Sequence, residues 1–250
     1  MAAFRAQRLA GDYCFRFRLI HKPWRARNIY YHGIMWGSWN DQGPVTRILV
    51  YSQPARLEAD VTQSTAAVEM LVQNGVEPSV WLRKDRSEAF SIVQGDDVFK
   101  PILDGVLFRP FDLQMPFIYW SDYQYEGPDR LGRAGSVQVF KMYPPEGSAA
   151  AEGRVGSVRI ALDDTYDALR RVEMLSVGGE VVSDMKTRSF CKVQGQWIVK
   201  DISLKDYQTK DSTSFLVEAA AVGIDLEASF FDPQSEGPLP LLEESIFKVL

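Results

Sequence analysis

Apolar and polar residues alternate along much of the chain, and this two-residue period predicts β-strands. It is clearest in residues 12–21, where one face is apolar and largely aromatic. Residues 26–39 and 45–51 read as the next two strands, and the short turns between them predict an antiparallel meander. Gly33 and Gly37 interrupt the second of these strands, where glycine would allow it to bend or bulge.

The second half of the chain shows the same alternation in longer segments. Turns of two to five residues separate most of them, as in hairpins, so we predict one continuous antiparallel sheet. No helices of 3.6-residue period alternate with the strands, which excludes a parallel α/β fold. Residues 97–107 have only a weak helical pattern, limited by Pro101. The further predicted strands are residues 68–72, 79–83, 89–93, 136–143, 155–162, 168–177, 180–193, 196–207 and 213–221.

Residues 108–127 (FRPFDLQMPFIYWSDYQYEG) separate the two halves, and seven of the twenty are aromatic. Pro110 and Pro116 remove backbone donors, so the segment cannot lie in a regular sheet over its whole length. We expect an anchored, irregular crossing in which Asp112 caps a short helix over residues 115–120. Its rings either fill the core or line a cavity for an apolar ligand, and both interpretations bury them equally well.

The chain has 250 residues and a net charge of −5 without a block of Lys or Arg, so nucleic acid is not an expected partner. Arg16 and Arg18 are expected on a solvated strand face. No run of apolar residues is long enough to span a bilayer. The N-terminus lacks the apolar segment of a signal peptide, so either the protein is cytosolic or an initiating Met replaces a leader. Cys14 and Cys191 are either two free thiols or one long-range disulfide.

Compact catalytic and nucleotide-binding signatures are missing from the sequence, and two histidines are too few for a His-rich metal site. Asp163 and Asp164 are the most visible carboxylate pair. They fall where a hairpin must turn, and aspartate is favoured in turns because it bonds its own backbone. We therefore expect no catalytic residue, no metal and no cofactor. The surplus of large apolar side chains instead favours a concave apolar pocket in a half-closed barrel, with a solid core as the alternative.

Five segments follow one another along the chain: PSVWL (78–82), FDLQMPFIYW (111–120), YEG (125–127), GQW (195–197) and FFDP (230–233). In this order they resemble the outer-membrane lipoprotein-sorting protein family, which is related to the lipoprotein carrier LolA and its acceptor LolB. The resemblance extends over about residues 10–240, and the block in residues 111–120 is its most specific part.

The resemblance implies a mainly β fold: a strongly curved, incompletely closed antiparallel β-barrel with a few short helices covering its opening. Residues 1–250 would form a single LolA-like lipid-binding domain whose cavity holds acyl chains. It also implies an exported protein of the periplasm or cell envelope, with its leader missing. LolA has a long N-terminal helix, whereas this chain reaches its first predicted strand within a few residues, so we expect part of the cover to be absent or built differently.

The leading hypothesis is non-enzymatic binding or transport of lipid or lipoprotein acyl chains. The alternative is an envelope sensor or interaction module that contacts a membrane-protein partner through an exposed edge strand near residues 12–21. The expected partner is accordingly a lipid or acylated lipoprotein, or in the alternative a membrane protein of the envelope. The predicted cavity residues are Phe15, Phe17, Tyr31, Met35, Trp81, Leu113, Met115, Phe117, Trp120 and Phe215.

Overall fold

A computed structural model describes residues 1–51, 67–132, 135–152, 155–235 and 237–250. Within these residues, fourteen strands form one sheet in which every pairing is antiparallel. The strands are β1 (Asp12–Lys22), β2 (Ile29–Asn40), β3 (Gly43–Tyr51), β4 (Val68–Gln73), β5 (Ser79–Arg83), β6 (Ser91–Ile92), β7 (Tyr123–Arg130), β8 (Ser136–Met142), β9 (Ser157–Asp163), β10 (Leu169–Leu175), β11 (Val181–Val193), β12 (Gln196–Asp206), β13 (Ser212–Ile224) and β14 (Lys248–Val249).

Helices are short in the described residues. The α-helices are α1 (Ala2–Arg5) and α2 (Pro110–Gln114), and the 3₁₀ turns are Gly95–Phe99, Pro116–Ile118, Ala228–Phe231 and Glu244–Ile246. The helical pattern predicted for residues 97–107 is therefore wrong beyond Phe99. None of these helices has the length and apolar character that crossing a bilayer requires.

The sheet runs β6-β5-β4-β3-β2-β1-β13-β12-β11-β10-β9-β8-β7, and β14 pairs with β13 beyond the end of β12. Its outermost strands β6 and β7 do not pair with each other in the described residues, so the barrel is incompletely closed, as predicted. The long strands of the second half are also confirmed. The largest boundary difference is the end of β13, which was predicted at residue 221 and lies at Ile224.

The prediction of an exposed edge near residues 12–21 is wrong, because β1 lies between β2 and β13 inside the sheet. One true edge is β7, which the sequence analysis did not predict as a strand. Its residues are nearly all exposed, and Gly127 and Pro128 obscure the alternation. Proline is tolerated there because an edge strand leaves one row of backbone donors unused. A register shift between Tyr125 and Gly127 marks a β-bulge.

The outer face of the first half is covered by the C-terminal segment. Phe230, Phe231 and Leu239 pack onto a cluster that includes Cys14 and Trp36. Nearly every residue of β3 is consequently buried, on both faces. The solvated face expected for Arg16 is also covered: its guanidinium forms two hydrogen bonds with Glu244, at 2.7 and 2.5 Å, and lies 4.0 Å from the centre of the Phe247 ring.

Both cysteines are free thiols, which settles the alternative that the sequence left open. Cys14 is buried in the outer-face cluster, and burial raises the pKa of its thiol to about 12. The thiol is therefore protonated at neutral pH and behaves as a small apolar side chain.

Gly33 and Gly37 do not mark a bulge, since β1 and β2 pair in unbroken register. They make room for aromatic rings instead. A Cβ on Gly37 would lie 2.0 Å from Cζ of Tyr13, and one on Gly33 would lie 2.2 Å from Cζ of Phe17. Each glycine lies directly opposite the ring that it accommodates. These two rings are thereby laid flat against the inner face of the sheet.

Replacing Gly37 with alanine should lower the free energy of unfolding by about 1–3 kcal/mol, because the new methyl group displaces the Tyr13 ring. Urea denaturation measures the loss. Gly178→Ala is the matched control, since a Cβ there meets nothing closer than 3.6 Å. Equal stability of the Gly37 and Gly178 variants would contradict the packing described.

Candidate apolar cavity

The inner face of the sheet encloses a cavity of about 930 Å³, a volume within the ~300–1,000 Å³ usual for small-molecule sites. Alternate residues of β3 supply part of its wall: Thr46, Ile48 and Val50. The neighbouring strand β4 contributes Met70, and β12 contributes Ile202. The two-residue period places these side chains on one face, and the curvature of the sheet makes them converge. The lining is mainly apolar.

Five of the ten predicted cavity residues line this cavity, and they come from the adjacent strands β2, β1 and β13 and from the crossing. They are Phe17, Met35, Leu113, Met115 and Phe215. The other five do not belong to its lining: Phe15, Tyr31, Trp81, Phe117 and Trp120.

Phe15 and Trp81 are excluded from the lining by details of the strands. Phe15 stacks on Tyr13 with ring centres 4.5 Å apart and packs in a separate core cluster near Val217 and Ile198. The register of β1 against β13 shifts between Arg16 and Phe17, just beyond Phe15. Trp81 packs on the outer-face cluster, whereas its neighbour Leu82 packs on the inner side.

Tyr31 lies at the margin of the inner cluster and donates its hydroxyl hydrogen to the carbonyl oxygen of Asp104, at 2.9 Å. Phe117 and Trp120 are buried in a separate core with Phe111 and Met142. The rings of Phe117 and Trp120 meet edge to face at 6.4 Å. These three predicted residues hold the fold together around the cavity.

The crossing therefore fills both roles that the sequence allowed. Leu113, Met115, Ile118 and Tyr119 line the cavity, while Phe111, Phe117 and Trp120 fill the core behind it. Met115, with φ of 44°, joins α2 to the following 3₁₀ turn in a left-handed conformation. The left-handed residue changes the direction of the chain between α2 and the 3₁₀ turn, so that some side chains of the crossing point into the cavity and others into the core.

Asp112 caps α2 rather than a helix over residues 115–120. It occupies the third helical position, where its carboxylate accepts the backbone N–H of Arg109 at 3.0 Å and pairs with the Arg109 guanidinium at 2.8 Å. Asn74 fastens the other end of α2, because its side-chain amide donates to the carbonyls of Leu113 and Gln114 at 2.8 and 2.7 Å. Both polar side chains border the cavity with their hydrogen bonds already made.

Residues 1–10, which we call the N-terminal strap, complete the cover. Arg5 donates to the carbonyls of Ile118 and Trp120 at 2.7 and 3.2 Å, which joins the strap to the crossing. Gln7 donates to the carbonyl of Tyr166 at 2.6 Å. The strap contributes Phe4 and Leu9 among others to the lining. This cover was not predicted, since a segment this short shows no hydrophobic period.

Two polar side chains of the wall, Tyr13 and Asp163, are held neutral or hydrogen-bonded. Tyr13 lies 3.5 Å from the hydroxyl of Thr46, and burial raises the pKa of its phenol above the ordinary value, so it stays protonated at neutral pH. Asp163 bonds its own turn, accepting the backbone N–H groups of Thr165 and Tyr166 at 2.9 and 3.1 Å, which confirms the turn role predicted for it. In the described residues, no three His, Cys, Asp or Glu side chains gather as a metal site would require.

A buried ionic cluster on the outer face was missed in the sequence. Glu69 and Arg47 are each only 1% exposed. The Glu69 carboxylate accepts hydrogen bonds from Arg47 and Arg83 at 2.7 and 2.9 Å. Arg47 also donates to the carbonyl of Phe230 at 2.8 Å and so anchors the C-terminal segment. The sequence feature that could have revealed this cluster is a single charged residue in each of two otherwise apolar strands, VTRILVY and VEMLV.

A scan against protein-family models finds no match, and a search of curated proteins finds no similar sequence. Three solved structures are similar over nearly their whole length. A protein domain from Vibrio parahaemolyticus described as outer membrane lipoprotein-sorting has a TM-score of 0.72 and 16% identity, covering 89% of both chains. A DUF1329 family protein from Desulfovibrio piger has a TM-score of 0.71 and 12% identity, covering 89% of this chain and 90% of its own.

A LolA superfamily protein from Nitrosomonas europaea has a TM-score of 0.63 and 11% identity, covering 92% of this chain and 94% of its own. The chain has a LolA-like fold. The resemblance seen in the motifs is thus confirmed at the level of structure. In this LolA-like fold the strap and the crossing cover the inner face of the open sheet, and the C-terminal segment covers the outer face of its first half.

Proposed function

We propose that the protein binds or carries lipid or lipoprotein acyl chains in its cavity, without catalysing a reaction, in the periplasm or cell envelope of a bacterium. The observation that carries this proposal is the cavity of about 930 Å³ with mainly apolar walls. Residues 1–250 act as one lipid-binding unit. The LolA-like fold supports the proposal, since one of the similar structures is described as a lipoprotein-sorting domain.

The wall explains how an acyl chain is held. Phe17, Met35, Leu113, Met115 and Phe215 are the residues that we propose contact it. Burying ~10 methylene groups at ~0.8 kcal/mol each contributes roughly 8 kcal/mol before the entropic costs of binding. This is enough for affinity without any specific polar contact. Methionines suit such a wall because their flexible thioethers adapt to different chains.

Titration with the uncharged fluorescent probe N-phenylnaphthylamine tests the proposal on protein that has first been stripped of lipid. We expect saturable binding with one site per chain and competitive displacement by palmitoyl lipids. A control titration with unfolded protein measures non-specific partition. Absence of saturable binding, with the fold intact by circular dichroism, would rule the proposal out.

The second candidate function, docking to a membrane-protein partner in the envelope, has a surface of its own. Within the described part of the chain, the edge strand β7 pairs with β8 alone, and Tyr123 and Tyr125 are about half exposed there. An unpaired edge with aromatic side chains suits addition of a partner strand. A photo-crosslinker at Gln124, compared with one at exposed Val177, tests it in envelope preparations. Equal labelling from both positions would exclude docking at β7.

A further inference from the structure

A β-bulge turns one arginine toward the cavity. In the pairing of β9 with β10, Leu169 faces Leu162 and Arg171 faces Ala161, so Arg170 is the extra residue. Arg170 lines the cavity, and so do its neighbours Leu169 and Arg171. Bulges commonly re-aim a side chain in this way near functional sites.

Arg170 has no anionic partner among the described residues. Its Nε atom is buried and has no hydrogen-bond acceptor there. The guanidinium lies over the ring of Phe190, with 5.1 Å between its carbon and the ring centre, and Phe190 also lines the cavity. The neighbouring Arg171, by contrast, pairs with Glu173 and Asp129. A buried guanidinium N–H without an acceptor is costly, so an acceptor supplied by a ligand would be bound favourably.

The sheet opens beside Arg170. Strands β10 and β11 pair only as far as Arg171 and Lys186, although β11 continues to Val193 alongside β12. The N-terminal strap is fastened on both sides of this gap. Gln7 bonds the carbonyl of Tyr166 before β10, and the Gln196 side chain bonds both backbone groups of Ala10, at 2.6 and 3.1 Å.

Arg8 lies between these two attachments. It is exposed to solvent and also lines the cavity, so the cavity reaches solvent beside the strap. Asp163, an acidic residue of the lining, uses one carboxylate oxygen for its own turn, and among the described residues no ion pair joins it to Arg8 or Arg170. Asp112 in the opposite wall is paired with Arg109. The opening is therefore the basic end of an otherwise apolar cavity.

We propose that the bound lipid carries an anionic headgroup, a phosphate or carboxylate, which Arg170 holds at this opening while Arg8 adds charge from the strap. The inference rests on the proposed function and names the class of its ligand. The acyl chain lies along the apolar wall, and the headgroup stays where solvent enters. A guanidinium suits this role because its parallel N–H groups match two oxygens of one anion.

Two lipids with the same single palmitoyl chain separate headgroup recognition from acyl binding. Lysophosphatidylglycerol carries an anionic phosphate, whereas monopalmitoylglycerol is uncharged and has no phosphate, and displacement of the uncharged probe N-phenylnaphthylamine measures the affinity of each below its micellar concentration. We expect the wild-type protein to prefer the anionic lipid about ten- to hundred-fold. Arg170→Gln should reduce this preference to about threefold or less while the uncharged lipid binds as before.

Arg188→Gln is the matched control, because Arg188 carries the same charge at an exposed position of β11 and lies outside the lining. It should keep the wild-type preference, and Arg170→Lys should keep part of it. Equal binding of the two lipids by the wild type, or an unchanged preference in Arg170→Gln, would overturn the headgroup site while leaving acyl binding standing. Failure of both lipids to displace the probe would instead refute the proposed function.

Inorganic phosphate distinguishes a lipid headgroup from a free anion. Calorimetry with phosphate alone should show binding far weaker than that of lysophosphatidylglycerol, because the acyl chain supplies most of the affinity. Phosphate binding as tight as that of the anionic lysolipid, and lost in Arg170→Gln, would assign Arg170 to a free anion and overturn the proposal.

Discussion

Glu69→Ala is expected to lower the free energy of unfolding by about 3–5 kcal/mol. The carboxylate is almost fully buried and binds Arg47 and Arg83 together. Its removal leaves two buried guanidinium groups without a counter-charge, and Arg47 also anchors the C-terminal segment through the carbonyl of Phe230. Urea denaturation followed by circular dichroism measures the loss.

Two controls separate the ionic cluster from a general effect of losing a carboxylate. Glu77→Ala, at an exposed position in the turn before β5, should change stability by less than about 0.5 kcal/mol. Replacing Arg47, Glu69 and Arg83 together with Met, Leu and Met should restore most of the stability, since no buried charge is left unpaired. A loss below about 1 kcal/mol for Glu69→Ala alone would show that the cluster is not desolvated as described.

Met35→Glu is expected to weaken binding of N-phenylnaphthylamine and of palmitoyl lipids by at least about tenfold. Met35 lies in the cavity wall, opposite Phe15 on β1 and Ile48 on β3. Glutamate has nearly the same shape, so the wall keeps its form, but its carboxylate retains water where an acyl chain would lie. Probe titration at constant protein concentration measures the change.

The neutral variant Met35→Leu should bind nearly as the wild type does, because it keeps an apolar wall of similar volume. Val177→Glu adds the same charge at an exposed turn outside the lining and should leave binding unchanged. Equal affinities of Met35→Glu and Val177→Glu would show that the probe binds elsewhere. Circular dichroism confirms that each variant is folded.

The architecture was predictable from the sequence wherever local pattern decides it. The strands of the second half alternate cleanly and are joined by short turns, so β8 to β13 were found with small boundary errors. Asp163 was assigned to its turn because the turn's chemistry is local. The identity of the cavity wall was less predictable, since alternation separates two faces of a strand without saying which one points inward.

Trp81 and Leu82 show this limit. Alternation puts these neighbours on opposite faces of β5, and the sequence analysis predicts Trp81 as a cavity residue, whereas Trp81 packs under the C-terminal segment on the outer face. Contacts between distant parts of the chain decide such cases. Such contacts also decide the place of Phe15, which packs outside the cavity although it shares a strand face with Phe17. They decide the place of Arg170 as well, because the bulge at that residue depends on how β10 pairs with β9. No local pattern encodes these contacts.

Native mass spectrometry of the purified protein, before and after lipid extraction, tests the central claim most directly. If the cavity holds an acyl lipid, the chain should carry one adduct of lipid mass, lose it on extraction and regain it when palmitoyl lipids are added. A folded chain that shows only its bare mass under all three conditions would contradict the account.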